Sequence, residues 1–98
     1  MPTYFAGRVR GSDGFVLSGT GFIVTRLAGG TYRIDFPAIA SGRFLMTTAT
    51  PWGTAATARL TMLSKNAGDG TQFVVIEMRD AGGALVDSDF IFIALERS

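Results

Sequence analysis

The last strand-like segment of the chain, Asp89–Leu95, is the feature that most constrains its fold. Successive side chains of a β-strand point to opposite faces, so this segment presents two separate sets of residues. Both sets are apolar: Phe90, Phe92 and Ala94 on one face, and Ile91, Ile93 and Leu95 on the other. Strands of this kind are normally covered on both sides. Because a small two-layer domain covers only one side, we expect a second copy of the chain to cover the other.

A second apolar segment, Gln72–Arg79, precedes this strand, and Asp80–Gly83 carries the residues of a turn. We predict that the two segments pair as a closing hairpin whose outward face is an interface between copies. Glu77 is expected either to face water at the rim of this face or to form an ion pair with Arg59 or Arg79. The predicted interface residues are Phe73, Val75, Glu77, Ile91, Ile93 and Leu95.

The composition indicates a single globular domain over residues 1–98, with 47% hydrophobic residues, 13 Gly and only 3 Pro. The absence of Cys excludes disulfides and thiolate metal sites. A net charge of +1 gives no indication of a nucleic-acid or membrane partner. The sequence has no signal peptide and no apolar run of the roughly 18 residues that a membrane span needs, so it leaves the compartment open.

The remaining segments predict short antiparallel strands. The clearest pair is Phe22–Arg26 and Thr31–Phe36, joined through Gly29 and Gly30, because the second member alternates apolar and polar residues. Ala55–Ser64 is compatible with a helix, but its three Thr and its alternation favour a strand, with Ala56, Ala58, Leu60 and Met62 on one face. The other predicted strands are Tyr4–Arg10, Phe15–Leu17 and Phe44–Ala49. Seven or eight short strands with regular turn signals predict an all-β antiparallel sandwich.

The residue types argue against an enzyme. The chain has no His and no Cys, which removes the usual nucleophile–base pairs and imidazole metal sites. Ser64 and Lys65 are adjacent in sequence, so in an extended chain they point apart. We therefore predict no catalytic residues, no metal site and no cofactor.

Four residues are candidates for ligand binding. Asp87 and Asp89 share a face of an extended chain at about 7 Å, which would suit a pair of glycosidase carboxylates. The favoured interpretation is that they are turn residues, and a calcium site shared with Asp69 is a further alternative. Trp52 lies on a turn between Pro51 and Gly53, where it could cover the core, contact another copy or stack on a sugar ring. The ligand-binding candidates are Trp52, Asp69, Asp87 and Asp89.

Two stretches resemble the motifs of small bacterial and phage β-sandwich modules. Residues 19–26 and 30–37 are similar to the pattern GFTVTR…GTYTVTF, and residues 79–83 and 87–94 are similar to a closing FDSAG…DSDFSFIA. Such modules stand at the C-terminal ends of fibre-like or secreted proteins, and their layout is distantly similar to that of the trimeric H-type lectins. Here isoleucines replace polar residues of the last strand, and no lectin sugar-site motif is present. The resemblance implies a β-sandwich that forms trimers.

Together these observations predict a non-enzymatic structural module that self-associates, as a homotrimer, through the face of the last hairpin. The alternative is a lectin-like carbohydrate-binding module with sites in loops or between subunits.

Overall fold

The computed structural model describes residues 4–97, and every regular element in that range is a β-strand. The strands are β1 (Tyr4–Val9), β2 (Val16–Ser18), β3 (Ile23–Ala28), β4 (Thr31–Phe36), β5 (Phe44–Pro51), β6 (Thr57–Lys65), β7 (Gln72–Arg79) and β8 (Phe90–Arg97).

The strands form two antiparallel four-stranded sheets, as the sequence predicted for a β-sandwich. Sheet I has the order β2-β1-β8-β5, and sheet II has the order β3-β4-β7-β6. The central strands β8 and β7 each pair with a neighbour on both sides. β5 and β6 are edge strands that contact each other across the sandwich.

The core lies between the sheets and follows the predicted alternation. Sheet II contributes Tyr32, Ile34 and Phe36 from β4 and Val74, Ile76 and Met78 from β7; sheet I contributes Val9, Leu45, Phe90, Phe92 and Ala94. Aromatic rings connect the two sheets, with ring centroids 5.1 Å apart for Tyr32 and Phe90 and 6.2 Å apart for Phe36 and Phe92. Each large side chain buried here stabilises the fold by about 1.5–3 kcal/mol relative to exposure.

The predicted pairing of the last two long strands as a hairpin is wrong. β7 pairs with β4 and β6, whereas β8 pairs with β1 and β5 in the other sheet. Residues 80–89 cross between the sheets, a separation of about 10 Å that ten residues span easily. Within this part of the chain, a single antiparallel bridge joins Arg79 and Leu85.

The other local predictions mostly agree with the fold. The β3–β4 hairpin turns at Gly30, whose φ of 73° is left-handed. The ambiguous segment Ala55–Ser64 is a strand, β6. The prediction that Met62 shares a face with Leu60 is wrong, because a bulge between these residues turns Met62 outward.

Candidate functional site

Three of the four predicted ligand-binding residues meet at one end of the sandwich. Because β5 and β8 are antiparallel neighbours, Trp52, which follows β5, lies beside Asp89, which precedes β8. The backbone N–H of Trp52 donates to the backbone carbonyl of Asp89 at 2.6 Å. The two residues lie on a cleft of about 300 Å³ lined by Gly11, Ser12, Trp52, Gly53, Thr54, Asp87, Ser88 and Asp89. We refer to it as the Trp52 cleft.

Within the cleft, the Asp87 carboxylate is occupied by partners from its own chain. Its Oδ1 accepts from the Gly30 N–H at 2.8 Å and from Arg26 Nε at 3.1 Å, and its Oδ2 accepts from Arg26 Nη2 at 2.8 Å. The Arg26 hydrogen bonds, followed by the Gly30 N–H, lower the pKa of Asp87 below its ordinary value. Asp87 therefore fastens the β7–β8 connection to the β3–β4 turn.

Tyr32 extends this network into the core. Its hydroxyl donates to the Gly11 carbonyl at 2.7 Å, lies 3.1 Å from Asp87 Oδ1 and accepts from the Ser88 N–H at 3.4 Å. Burial raises the pKa of Tyr32 to about 12, so the phenol is neutral at physiological pH. A neutral, fully hydrogen-bonded phenol holds loops in place and gives no indication of a catalytic base.

Asp89 is less constrained than Asp87. Its Oδ1 accepts from the Gly11 N–H at 2.8 Å, and no cation among residues 4–97 forms an ion pair with its carboxylate. Asp89 lines the cleft together with the half-exposed Trp52.

Asp69 does not join this cleft. It lies in the β6–β7 connection at the opposite end of the sandwich, where its carboxylate accepts from the backbone and the hydroxyl of Thr71. The cavity of about 460 Å³ beside it includes Arg43 and Lys65. Both cations are engaged, since Arg43 pairs with Glu96 at 2.7 Å and Lys65 Nζ donates to two backbone carbonyls. The alternative of a calcium site shared by Asp69, Asp87 and Asp89 is therefore wrong.

The six predicted interface residues fall on opposite sides of the molecule. Phe73, Val75 and Glu77 lie half-buried on the outer face of sheet II, and Ile91, Ile93 and Leu95 lie on the outer face of sheet I. They cannot form one continuous surface, because β7 and β8 belong to different sheets.

The outer face of sheet II is charged. Arg33 pairs with Asp35 at 2.9 Å and covers the Phe73 ring at 3.9 Å from its centroid. Glu77 pairs at 3.1 Å with Arg79 of its own strand, which is one of the alternatives that the sequence left open. We refer to this surface as the charged face.

The outer face of sheet I is almost entirely uncharged. Strand register places the outward side chains of β1 and β5 on either side of those of β8, with Tyr4 and Met46 flanking Leu95 and with Ala6 and Thr48 flanking Ile93. Tyr4, Met46 and Leu95 are 64%, 54% and 45% exposed. The apolar face, as we name it, consists of Tyr4, Ala6, Phe44, Met46, Thr48, Thr50, Ile91, Ile93 and Leu95.

Arg8 lies where the apolar face meets the Trp52 cleft. It stands opposite Ile91 in the ladder, and its guanidinium carbon is 4.9 Å from the centroid of the Trp52 ring. Its Nε is buried without a hydrogen-bond partner among the described residues. An arginine held this way is unusual, because buried polar atoms nearly always have a partner.

Sequence reasoning missed four contributors to these surfaces: Tyr4, Phe44, Met46 and Arg8. Strand alternation places each of them on the outward face of its own strand. Nothing in the local sequence indicated that β1 and β5 would flank β8, so the extent of the apolar face could not be read in advance.

Residues 4–97 contain no group of three or more His, Cys, Asp or Glu side chains placed to hold a metal ion. The same range contains no helix able to span a lipid bilayer.

Comparisons with models of protein families, with curated proteins and with solved structures gave no match. The similarity to bacterial modules and H-type lectins stays an expectation that rests on the motifs quoted above.

Proposed function

We propose that this chain is a non-enzymatic assembly module that self-associates through the apolar face of sheet I. The observation that carries the proposal is the contrast between the two outer faces. The charged face holds Arg33, Asp35, Arg59, Glu77 and Arg79, whereas the middle of the apolar face holds no charge. Exposed apolar patches of this kind mark interaction sites in soluble proteins.

A second copy of the chain is the occupant that this surface suits best. Identical apolar faces are self-complementary, as symmetric association requires. Ile91, Ile93 and Leu95 form an aliphatic ridge on β8, and a groove of about 130 Å³ between β5 and β8, lined by Thr48, Thr50 and Ile91–Ile93, lies beside it. Its volume is several times the roughly 30 Å³ of one water, so it has room for an aliphatic side chain from the ridge of a neighbouring copy.

The shape of the ridge favours three copies. Ile91, Ile93 and Leu95 form one row along β8, and the smaller Ala6 and Thr48 flank the middle residue, Ile93. Three such ridges around a threefold axis would stack three layers of aliphatic side chains. From strand spacing and rise, each face covers about 400 Å², so a closed set of three buries about 1,200 Å² in total, divided among three pairwise contacts.

Sedimentation equilibrium at micromolar concentration tests this proposal. We expect a mass three times the 10.4 kDa of one chain, with dissociation on dilution. A single species of 10.4 kDa over the whole concentration range would contradict self-association, and a stable dimer would contradict the threefold arrangement alone.

The Trp52 cleft supports a second candidate, carbohydrate binding. A half-exposed indole could stack on a sugar ring, and the Asp89 carboxylate, which lines the same cleft, could accept from the hydroxyl groups of that sugar. A glycan array, followed by titration of Trp52 fluorescence with and without Ca²⁺, tests this candidate. An Asp89→Asn variant should weaken a genuine signal, and an unchanged response in that variant would exclude the cleft as the site.

A further inference from the structure

Two methionines among residues 4–97 are exposed to the same extent and lie on the outer faces of different sheets. Met46 of β5 is 54% exposed, and Met62 of β6 is 53% exposed. Strand register places Met46 opposite Leu95 on the apolar face and Met62 opposite Val75 on the charged face. Met78 is wholly buried in the core. In a free chain the two exposed thioethers therefore meet solvent equally, but only Met46 lies on the surface proposed to associate.

Met46 belongs to a row of large side chains that crosses the apolar face. Tyr4, Leu95 and Met46 are neighbours in the ladder of β1, β8 and β5. Adjacent strands lie about 4.8 Å apart, so the row forms an apolar strip about 10 Å wide. Because Leu95 belongs both to this row and to the ridge of β8, self-association that covers the ridge brings a neighbouring copy against Met46 as well.

We infer that Met46 is an oxidation site through which peroxide controls the assembly of this chain. This inference rests on the proposed self-association. The thioether sulfur attacks one oxygen of hydrogen peroxide, the O–O bond breaks, a sulfoxide forms and the peroxide leaves as water. The sulfur supplies the two electrons that the peroxide accepts, so the step requires no other residue of the protein.

A sulfoxide at position 46 opposes association. Its polar S=O group loses water when it enters a contact made by aliphatic and aromatic side chains, and that transfer is unfavourable. Every copy contributes one Met46, so an assembly of three contains three such groups. Association in turn shields the thioether. Peroxide therefore reacts with free copies and shifts the equilibrium toward them by linkage.

Peroxide treatment of two variants tests the inference. Met62→Leu leaves Met46 as the exposed methionine of residues 4–97 and should associate as the natural chain does, because position 62 lies on the charged face. Oxidation should raise its dissociation constant, measured by sedimentation equilibrium, by about tenfold or more. Met46→Leu keeps Met62, and peroxide should leave its dissociation constant unchanged. Each variant is compared with itself before and after oxidation, so an effect of the substitution on association does not enter the comparison.

Two controls assign the response to one sulfur atom. The four methionines lie on four different tryptic peptides, so mass spectrometry gives the sulfoxide content at each position. Reduction by a methionine sulfoxide reductase restores the thioether and should restore the original dissociation constant. Damage to Trp52 by peroxide would persist after this treatment.

The natural chain provides a second measurement that needs no substitution. Assembly should shield Met46 and leave Met62 open, so the ratio of their oxidation rates should fall as the protein concentration rises through the dissociation constant. A constant ratio in a protein that associates, an unchanged dissociation constant in oxidised Met62→Leu, or an equal rise in both variants would overturn the oxidation site and leave self-association standing. A chain that is monomeric at every concentration before oxidation would overturn both proposals.

Discussion

The side-chain amide of Gln72 pairs with both backbone groups of Leu45 in the opposite sheet. Gln72 Oε1 accepts from the Leu45 N–H and Gln72 Nε2 donates to the Leu45 carbonyl, each at 2.8 Å. Both residues are buried, and β5 is an edge strand whose outer backbone groups have no neighbouring strand. Gln72 therefore closes the edge of sheet I and joins the two sheets at one end of the core.

Replacing Gln72 with Leu should destabilise the fold strongly. The substitution leaves the buried N–H and carbonyl of Leu45 without partners, at about 1–3 kcal/mol for each group. We expect a total loss of about 2–5 kcal/mol in the free energy of unfolding, measured by urea denaturation. A loss below about 0.5 kcal/mol, as for an ordinary surface substitution, would contradict the role assigned to this pair.

Asp87 should make the fold sensitive to acid. Its pKa is lowered in the folded state, so its contribution is complete above the ordinary value of 3.8 and is lost as the pH falls through the lower folded value. Asp87→Asn should cost about 1–2 kcal/mol at neutral pH, a modest value because the pair with Arg26 is partly exposed. Asp13 and Asp69, whose pKa values are also lowered, are present in the natural chain and in Asp87→Asn, so their effects cancel in the comparison. The difference in stability between the two proteins should shrink below about pH 4, and a constant difference down to pH 2 would contradict the assignment.

Tyr32 should make the fold sensitive to alkali. Burial raises its pKa from 10.0 to about 12. Its contribution to the free energy of unfolding is therefore complete below pH 10 and is lost as the pH rises toward 12. The chain has two tyrosines, so Tyr4→Phe leaves Tyr32 alone for phenolate absorbance titration. We expect its ionisation near pH 12, together with unfolding. A midpoint near 10 in a protein that stays folded would show that the phenol is not buried as described.

The sequence predicted the structural features that depend only on residues close together in the chain. Alternation identified the inward faces of β4, β7 and β8, and the Gly29–Gly30 pair located the β3–β4 turn. These features depend on the two-residue period of a strand and on the positive φ that Gly adopts, both of which are local.

The sequence could not assign strands to sheets. β7 and β8 are both apolar and are separated by a loop with turn chemistry, so the sequence is compatible with a hairpin as well as with a crossover between sheets. The same limit applies to the site, because the meeting of Trp52 with Asp89 depends on β5 pairing with β8. The bulge that turns Met62 outward could not be predicted either. One extra residue in a strand moves the following side chains to the opposite face, and no strong local sequence signal marks it.

A pair of matched lysine substitutions tests the central claim most directly. Ile93 and Val75 occupy equivalent places, on the outward sides of the central strands of sheets I and II. Sedimentation equilibrium should give the natural mass for Val75→Lys, whereas Ile93→Lys should raise the dissociation constant by about thirtyfold or more, as loss of a 2 kcal/mol contact does. Equal masses for the two variants, or weaker association of Val75→Lys than of Ile93→Lys, would contradict assembly through the apolar face.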